Sequence, residues 1–291
     1  MRIGTRGSAL ALAQAGWVAE RLGADAEIVT ISTLGDRGAD IGDKSRWVSE
    51  LEAALLDGRI DIAVHSAKDV PTQLPEGLEL VAIPERADPR DAICGASSLA
   101  ELPAGATVGT SSLRRAAQIR AVRGDLEVIS MRGNVDTRLR KLAEGQFDAI
   151  VLALAGLERL GRADAAGGVL AELVPAAGQG ALAIEARAGA IPAELLAAVS
   201  DPETTACVMA ERELVGALDA SCNTPVGAHA RRLDGGELEL VAWVGLPDGS
   251  AWIRDRRTGD AAGLGSALAQ RLLSAGAGEL LQRAEREASV V

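Results

Sequence analysis

A chain of 291 residues that is 48% hydrophobic and 24% charged has ordinary globular material for two or three domains, which excludes a disordered or fibrous protein. One Phe, no Tyr and four Trp argue against a base-stacking nucleic-acid binder, and a formal net charge of −11 sets the protein as a whole against polyanions. The N-terminus lacks a signal-peptide core of roughly 7 to 15 apolar residues, and no run reaches the roughly 18 needed to span a bilayer, so the expected location is the cytoplasm.

In chain order, short apolar runs alternate with turns and helical periodicity through the first two-thirds, which is an α/β pattern. Strands are predicted at 2–5, 27–32 and 60–64, and helices at 9–22, closed by Gly23, and at 49–56, closed by Asp57-Gly58. The scheme then repeats. Strands are predicted at 106–109, 126–131 and 147–154, and helices at 113–122, behind the capping run Thr110-Ser111-Ser112, at 135–143 and at 156–160. Two such sheets are expected. Breaks rich in Pro and Gly fall at 84–90 and 175–180, the second followed by a strand at 181–185. Beyond residue 200 the pattern changes to a long helix at 204–218, strands at 237–244 and 251–255, and a closing helix from 261, a smaller α+β domain. The expected partition is 1–84 with 181–199, then 85–180, then 200–291.

The carboxyl ends of strands in open α/β sheets collect ligands, and here those positions are heavily loaded. They hold Arg6 and Ser8, then Ser66, Lys68 and Asp69, then Thr110, Ser111, Ser112, Arg114 and Arg115, then Arg132 and Asn134, with Arg138 one turn on. Between 109 and 141 eight basic residues stand against three acidic ones, a basic island in an acidic protein. Guanidinium groups pair with carboxylates through two parallel hydrogen bonds, so this set implies a ligand with several carboxylates or phosphates, while any single arginine also fits a solvated helix face. Asp69, beside Lys68 and before Val70-Pro71, suits a carboxylate that stabilises a cation and exchanges protons with it; a turn-forming Asp ahead of an X-Pro unit suits the same residues. His65 reads as a packed, hydrogen-bonded histidine.

The cysteines Cys94, Cys207 and Cys222 fit neither a disulfide framework nor a zinc site. Cys94 and Cys207 read as small buried apolar residues, whereas Cys222 follows a helix within Asp219-Ala220-Ser221-Cys222-Asn223-Thr224, where an exposed thiol would be a soft nucleophile.

Seven motifs, in order along nearly the whole chain, resemble the hydroxymethylbilane synthase (porphobilinogen deaminase) family. They are Thr5-Arg6-Gly7-Ser8 running on to Gln14, His65-Ser66-Ala67-Lys68-Asp69-Val70-Pro71, Gly109-Thr110-Ser111-Ser112-Leu113-Arg114-Arg115, Arg132-Gly133-Asn134-Val135-Asp136-Thr137-Arg138, Ala155-Gly156-Leu157-Glu158-Arg159, Gly178-Gln179-Gly180 and the Cys222 loop. The resemblance implies two domains like periplasmic binding proteins plus a small C-terminal domain. It also implies a dipyrromethane cofactor joined as a thioether to Cys222, and stepwise deamination and head-to-tail joining of four porphobilinogen molecules into hydroxymethylbilane. It assigns Asp69 as the catalytic carboxylate, Lys68, Thr110, Ser111, Ser112, Arg114, Arg115 and Arg132 to the cofactor, and Arg6, Ser8, Gln14, Arg138, Arg159 and Gln179 to the substrate. No metal, nucleic acid or membrane partner is expected, and the expected state is a monomer.

Each pyrrole carries an acetate and a propionate, which matches the arginine-loaded turns. The sequence departs from the family pattern at Gly42-Asp43-Lys44-Ser45-Arg46-Trp47, where Trp47 replaces a Phe and a Gly is lost, and at Ala67, where Met or Leu is common. Two other classes meet part of the pattern. A non-catalytic protein closing two α/β lobes on an anion gives Asp69 and Cys222 no role, and a thiol enzyme with an acyl intermediate lacks a nearby general base.

Overall fold

The computed structural model describes residues 1–23, 25–33, 48–220 and 224–288; the lid segment 42–47 and Cys222 lie outside them. The described chain forms two compact units, Met1–Ala87 with Gly178–Met209, and Asp88–Ala177 with Ala210–Val291.

In the first unit, β1 (Arg2–Thr5), α1 (Ala9–Leu22), β2 (Glu27–Thr30), α2 (Ser49–Leu56), β3 (Ile62–Ser66) and β4 (Leu78–Ala82) follow one another. The second unit begins with β5 (Asp91–Cys94), β6 (Thr107–Gly109), α3 (Leu113–Val122), β7 (Glu127–Ile129), α4 (Val135–Ala143), β8 (Ala149–Ala153), α5 (Leu154–Arg159) and β9 (Gly168–Leu170). The chain then returns through β10 (Leu182–Arg187), α6 (Ala193–Ala197) and the long α7 (Pro202–Ala217). It ends with β11 (Val226–Arg232), β12 (Leu238–Gly245), β13 (Trp252–Gly259), α8 (Leu264–Ser274) and α9 (Ala277–Ala288).

The first sheet runs β2-β1-β3-β10-β4 and the second β7-β6-β8-β5-β9. In both, the first three strands are parallel, and an antiparallel strand sits in the fourth place. That strand, β10 in one sheet and β5 in the other, is the one that follows a crossing of the chain from unit to unit. Those two crossings fall within the breaks at 84–90 and 175–180, and a third, between Met209 and Ala210, lies within α7. A third, antiparallel sheet, β11-β12-β13, packs against α8 and α9.

β3 is apolar throughout its first three residues because both of its faces are covered. Ile62 and Val64 join Ile3, Ala15, Val18 and Ile184 on the α1 side, and Ala63 joins Leu51, Leu55 and Ile60 on the α2 side. The helix starts follow from their caps. Ser8 Oγ accepts the Ala11 N–H at 3.2 Å, Ser112 Oγ that of Arg115 at 3.4 Å, and Asn134 Oδ1 that of Thr137 at 2.9 Å. The single closing helix expected from 261 is two, because the chain turns at Gly276, whose φ is +99°.

Candidate active site

In the first unit, β1 and β3 are parallel neighbours, so the segments leaving their carboxyl ends converge. From β1 comes Arg6-Gly7-Ser8, leading into α1; from β3 comes Ser66 and a 3-10 turn, Ala67–Asp69. Together they line a recess of about 60 Å³ bounded by Arg6, Ser8, Gln14, His65, Ser66 and Asp69. Gln14, 3% exposed, donates from Nε2 to Ser66 Oγ at 2.9 Å, tying α1 to the end of β3. Asp69 and Lys68 are half-buried at the end of the turn. His65 is buried and hydrogen-bonded through Nε2 to Glu185 Oε2 of β10 at 3.0 Å, as its packed reading anticipates.

The Gly178-Gln179-Gly180 motif supports the same turn. Gly178 has φ +74°, and a Cβ there would stand 2.9 Å from the Ala67 carbonyl carbon and 3.0 Å from Lys68 N, so only glycine admits this approach. The Ala67 N–H donates to Ala181 O at 3.0 Å, and Gln179, 1% exposed, accepts at its backbone oxygen from Arg86 Nε at 2.8 Å. The small Ala67 side chain packs with Val70, Ile83, Ala181, Ala183 and Val208.

In the second unit the hydroxyl run after β6 divides its tasks. Thr110 Oγ1 accepts the Ser112 N–H at 3.2 Å and Ser112 caps α3, whereas exposed Ser111 accepts from Arg138 Nη2 at 2.8 Å. Arg138 also donates from Nε to Gly133 O at 2.7 Å, which joins the turn after β6 to the turn after β7. Burial, with Arg115 nearby, pushes the Arg138 guanidinium down to about 10. Arg132 is exposed, its backbone oxygen held by Lys141 Nζ at 3.2 Å, and Arg159, half-buried at the end of α5, is depressed by burial.

Arg114 and Arg115 are 5% and 6% exposed and both bind Asp91 of β5, which is fully buried. Arg114 reaches Asp91 Oδ2 from Nη1 at 2.9 Å and Oδ1 from Nη2 at 3.2 Å; Arg115 donates to Oδ1 from Nε at 2.9 Å. Burial pushes the Arg115 guanidinium down, with Asp91 opposing and Arg114 adding to the fall. Asp91 was not singled out in the sequence, where it lies 23 residues from Arg114 with no motif around it. Three other members of the basic island serve structure or solvent: Arg120 and Arg123 donate to backbone oxygens, and Arg140 pairs with Glu144 on the exposed face of α4.

Cys94 and Cys207 are buried, in keeping with their apolar reading, and burial pushes the Cys94 thiol up to about 11. No helix among the described residues is long and apolar enough to cross a membrane.

The strand ends of the first sheet carry a carboxylate recess, and those of the second carry hydroxyl and guanidinium donors, groups of the kind that bind anionic small molecules. Residues 1–193 match the family described as "Porphobilinogen deaminase, dipyromethane cofactor binding domain", and residues 205–274 match "Porphobilinogen deaminase, C-terminal domain". Curated proteins named porphobilinogen deaminase are similar over almost their full lengths. That of Deinococcus deserti is 49% identical over 97% of this chain and 98% of its own, and that of Roseiflexus castenholzii is 49% identical over 97% and 98%. This chain belongs to the porphobilinogen deaminase family. A solved periplasmic binding protein from Brucella ovis with glutathione bound is similar only distantly, at 15% identity over 75% of this chain and 68% of that one, with a TM-score of 0.39.

Proposed function

We propose that this chain is a hydroxymethylbilane synthase. It deaminates four porphobilinogen molecules in turn, with ammonia as by-product, joins them head to tail on a dipyrromethane primer held by Cys222, and releases hydroxymethylbilane by hydrolysis of the bond between chain and primer. The observation that carries the assignment of roles is a recess of the first unit, where Asp69 stands with Arg6, Ser8 and Gln14 around it.

The donor set suits a group bearing acetates and propionates: a capped helix start with an exposed hydroxyl at Ser111, beside an Arg138 guanidinium that donates to two neutral oxygens, Gly133 O and Ser111 Oγ. When bound, a dipyrromethane supplies the pyrrole carbon to which the first substrate ring is joined, and it stays with the enzyme at release. Lys68, Thr110, Ser111, Ser112, Arg114, Arg115 and Arg132 are assigned to hold it. Arg6, Ser8, Gln14, Arg138, Arg159 and Gln179 are assigned to the substrate, the arginines gripping carboxylates and Ser8 and Gln14 orienting the ring. Loss of ammonia leaves the substrate electron-poor, and the Asp69 carboxylate stabilises that positive charge and exchanges the proton. Arg114 and Arg115 act from within the Asp91 cluster, as oriented donors rather than mobile side chains.

We also assign three domains, 1–84 with 181–199, 85–180 and 200–291, each with its own sheet, in a cytoplasmic monomer that needs neither nucleic acid nor membrane. Intact mass spectrometry of the protein as isolated tests the central claim. The expected result is the added mass of two linked pyrroles, mapping to the Cys222 peptide; an unmodified Cys222 in active protein would sink it.

A further inference from the structure

The turn between β12 and β13 lies against α3 more closely than ordinary packing requires. Gly249, at φ +75°, comes so near that a Cβ would stand 2.6 Å from Ala121 N, 2.8 Å from Arg120 Cβ and 2.9 Å from Ala117 O. Two of these three atoms are backbone, so no side-chain movement could relieve the overlap. Arg120 spans the contact, donating from Nη1 to Pro247 O at 2.7 Å and from Nη2 to Val128 O of β7 at 2.8 Å. Beside it Trp243, 4% exposed, packs on Ala117 and Val174 and stacks on Trp252 with ring centroids 6.4 Å apart.

A second set of bonds ties α3 to the start of β11. Gln118 closes both polar groups of the Val174 backbone: its Oε1 accepts the N–H at 2.7 Å and its Nε2 donates to the carbonyl at 3.0 Å. Arg114 Nη1 donates to that same carbonyl at 2.7 Å. On its other side, Gly227 approaches so closely that a Cβ would lie 2.7 Å from Val174 O, and the Ala228 N–H donates to Pro175 O at 2.8 Å. The Val174–Pro175 segment is thus held by the arginine helix and by the strand that begins four residues after Cys222.

We propose that the β12–β13 turn clamps α3, making Gly249, Arg120 and Trp243 positioning residues for the first turn of that helix, where Ser112, Arg114 and Arg115 sit. The inference rests on the functional reading for its consequence and on geometry alone for its mechanism. The C-terminal sheet then does more than follow the cofactor cysteine in the chain. It sets the α3 donors in a fixed relation to β11, so carboxylates held at the helix start meet preorganised partners.

The test compares the full-length wild type with Arg120→Met, which keeps the aliphatic stem and removes both bonds, and Gly249→Asn. Asn tolerates positive φ, so it separates loss of space from loss of backbone freedom. Amide hydrogen exchange is read at Arg115 and Ala116, whose N–H groups bond to Ser112, and beyond Val226, alongside KM and kcat for porphobilinogen. The clamp predicts exchange faster by on the order of tenfold at these amides in both variants, with KM raised and kcat little changed. Because Arg120→Met adds no bulk, it decides the matter if Gly249→Asn fails to fold. Faster exchange confined to 117–122 and 246–251, with unchanged KM, would overturn the proposal. An unmodified Cys222 in the wild type would remove the functional reading while the exchange measurement still decides the clamp.

Discussion

The two α/β sheets share one strand order, with a crossing strand in the same place, and yet load corresponding positions with opposite chemistry. In each, the strand in second place, β1 or β6, leads to a serine-capped helix, α1 behind Ser8 and α3 behind Ser112. Where β3 leads into the turn ending at Asp69, β8 leads into α5, whose last residue is Arg159. Shared topology decides where loops converge. The residues on those loops decide which groups each place presents: a carboxylate recess in the first sheet, and hydroxyl and guanidinium donors in the second.

The largest effect expected from this contrast is in the first sheet. Asp69→Ala should lower turnover by roughly 10²- to 10⁴-fold while leaving the circular dichroism spectrum intact, since backbone contacts with Gly178 and Ala181 hold the turn. Near-normal bilane formation would reject the role given to Asp69. In the second sheet the carboxylate is a counter-ion, so the same chemical deletion should act on stability. Asp91→Ala leaves two buried guanidiniums facing each other and should cost about 3–5 kcal/mol in denaturant unfolding. A loss under about 1 kcal/mol would show that this cluster is not the anchor of α3.

Arg138 sharpens the contrast further. Its folded value of about 10 lies below the ordinary guanidinium value, so the folded state disfavours the charged form. That penalty is fully present at neutral pH and fades as pH rises through about 10 toward the unfolded value. Arg138→Met should therefore leave thermal stability equal or raised while weakening chain elongation, which melting curves and steady-state kinetics on one preparation can compare. A large fall in melting temperature with unchanged kinetics would make Arg138 a structural residue. The smallest effect is expected at Cys94. With its thiol pushed up to about 11 and fully buried, it should take no iodoacetamide in the native protein at pH 8 and react only after unfolding, as peptide mapping would reveal.

Local chemistry was enough for some of the molecule. The helices read at 9–22, 49–56, 113–122 and 135–143 end where α1, α2, α3 and α4 end, because caps and glycines act over a few residues. The ordered motifs likewise point to the family without coordinates, and the loaded strand ends single out Asp69 as the carboxylate to test. The strands β4, β5, β9 and β11 were not legible. Three of them are only three to five residues long, and β11, reading Val-Gly-Ala-His-Ala-Arg-Arg, has no clean alternation.

What only the tertiary structure decided are the pairings made across the chain: Asp91 with Arg114 and Arg115, Glu185 with His65, Gly178 beneath the Asp69 turn, and Gly249 against α3. A basic island in the sequence suggests interchangeable cations; the fold divides them into buried donors on Asp91, a desolvated guanidinium at Arg138 and backbone braces at Arg120 and Arg123. The reason is physical. Propensity and capping are properties of neighbouring residues, whereas burial and counter-ion choice exist only once distant strands have met.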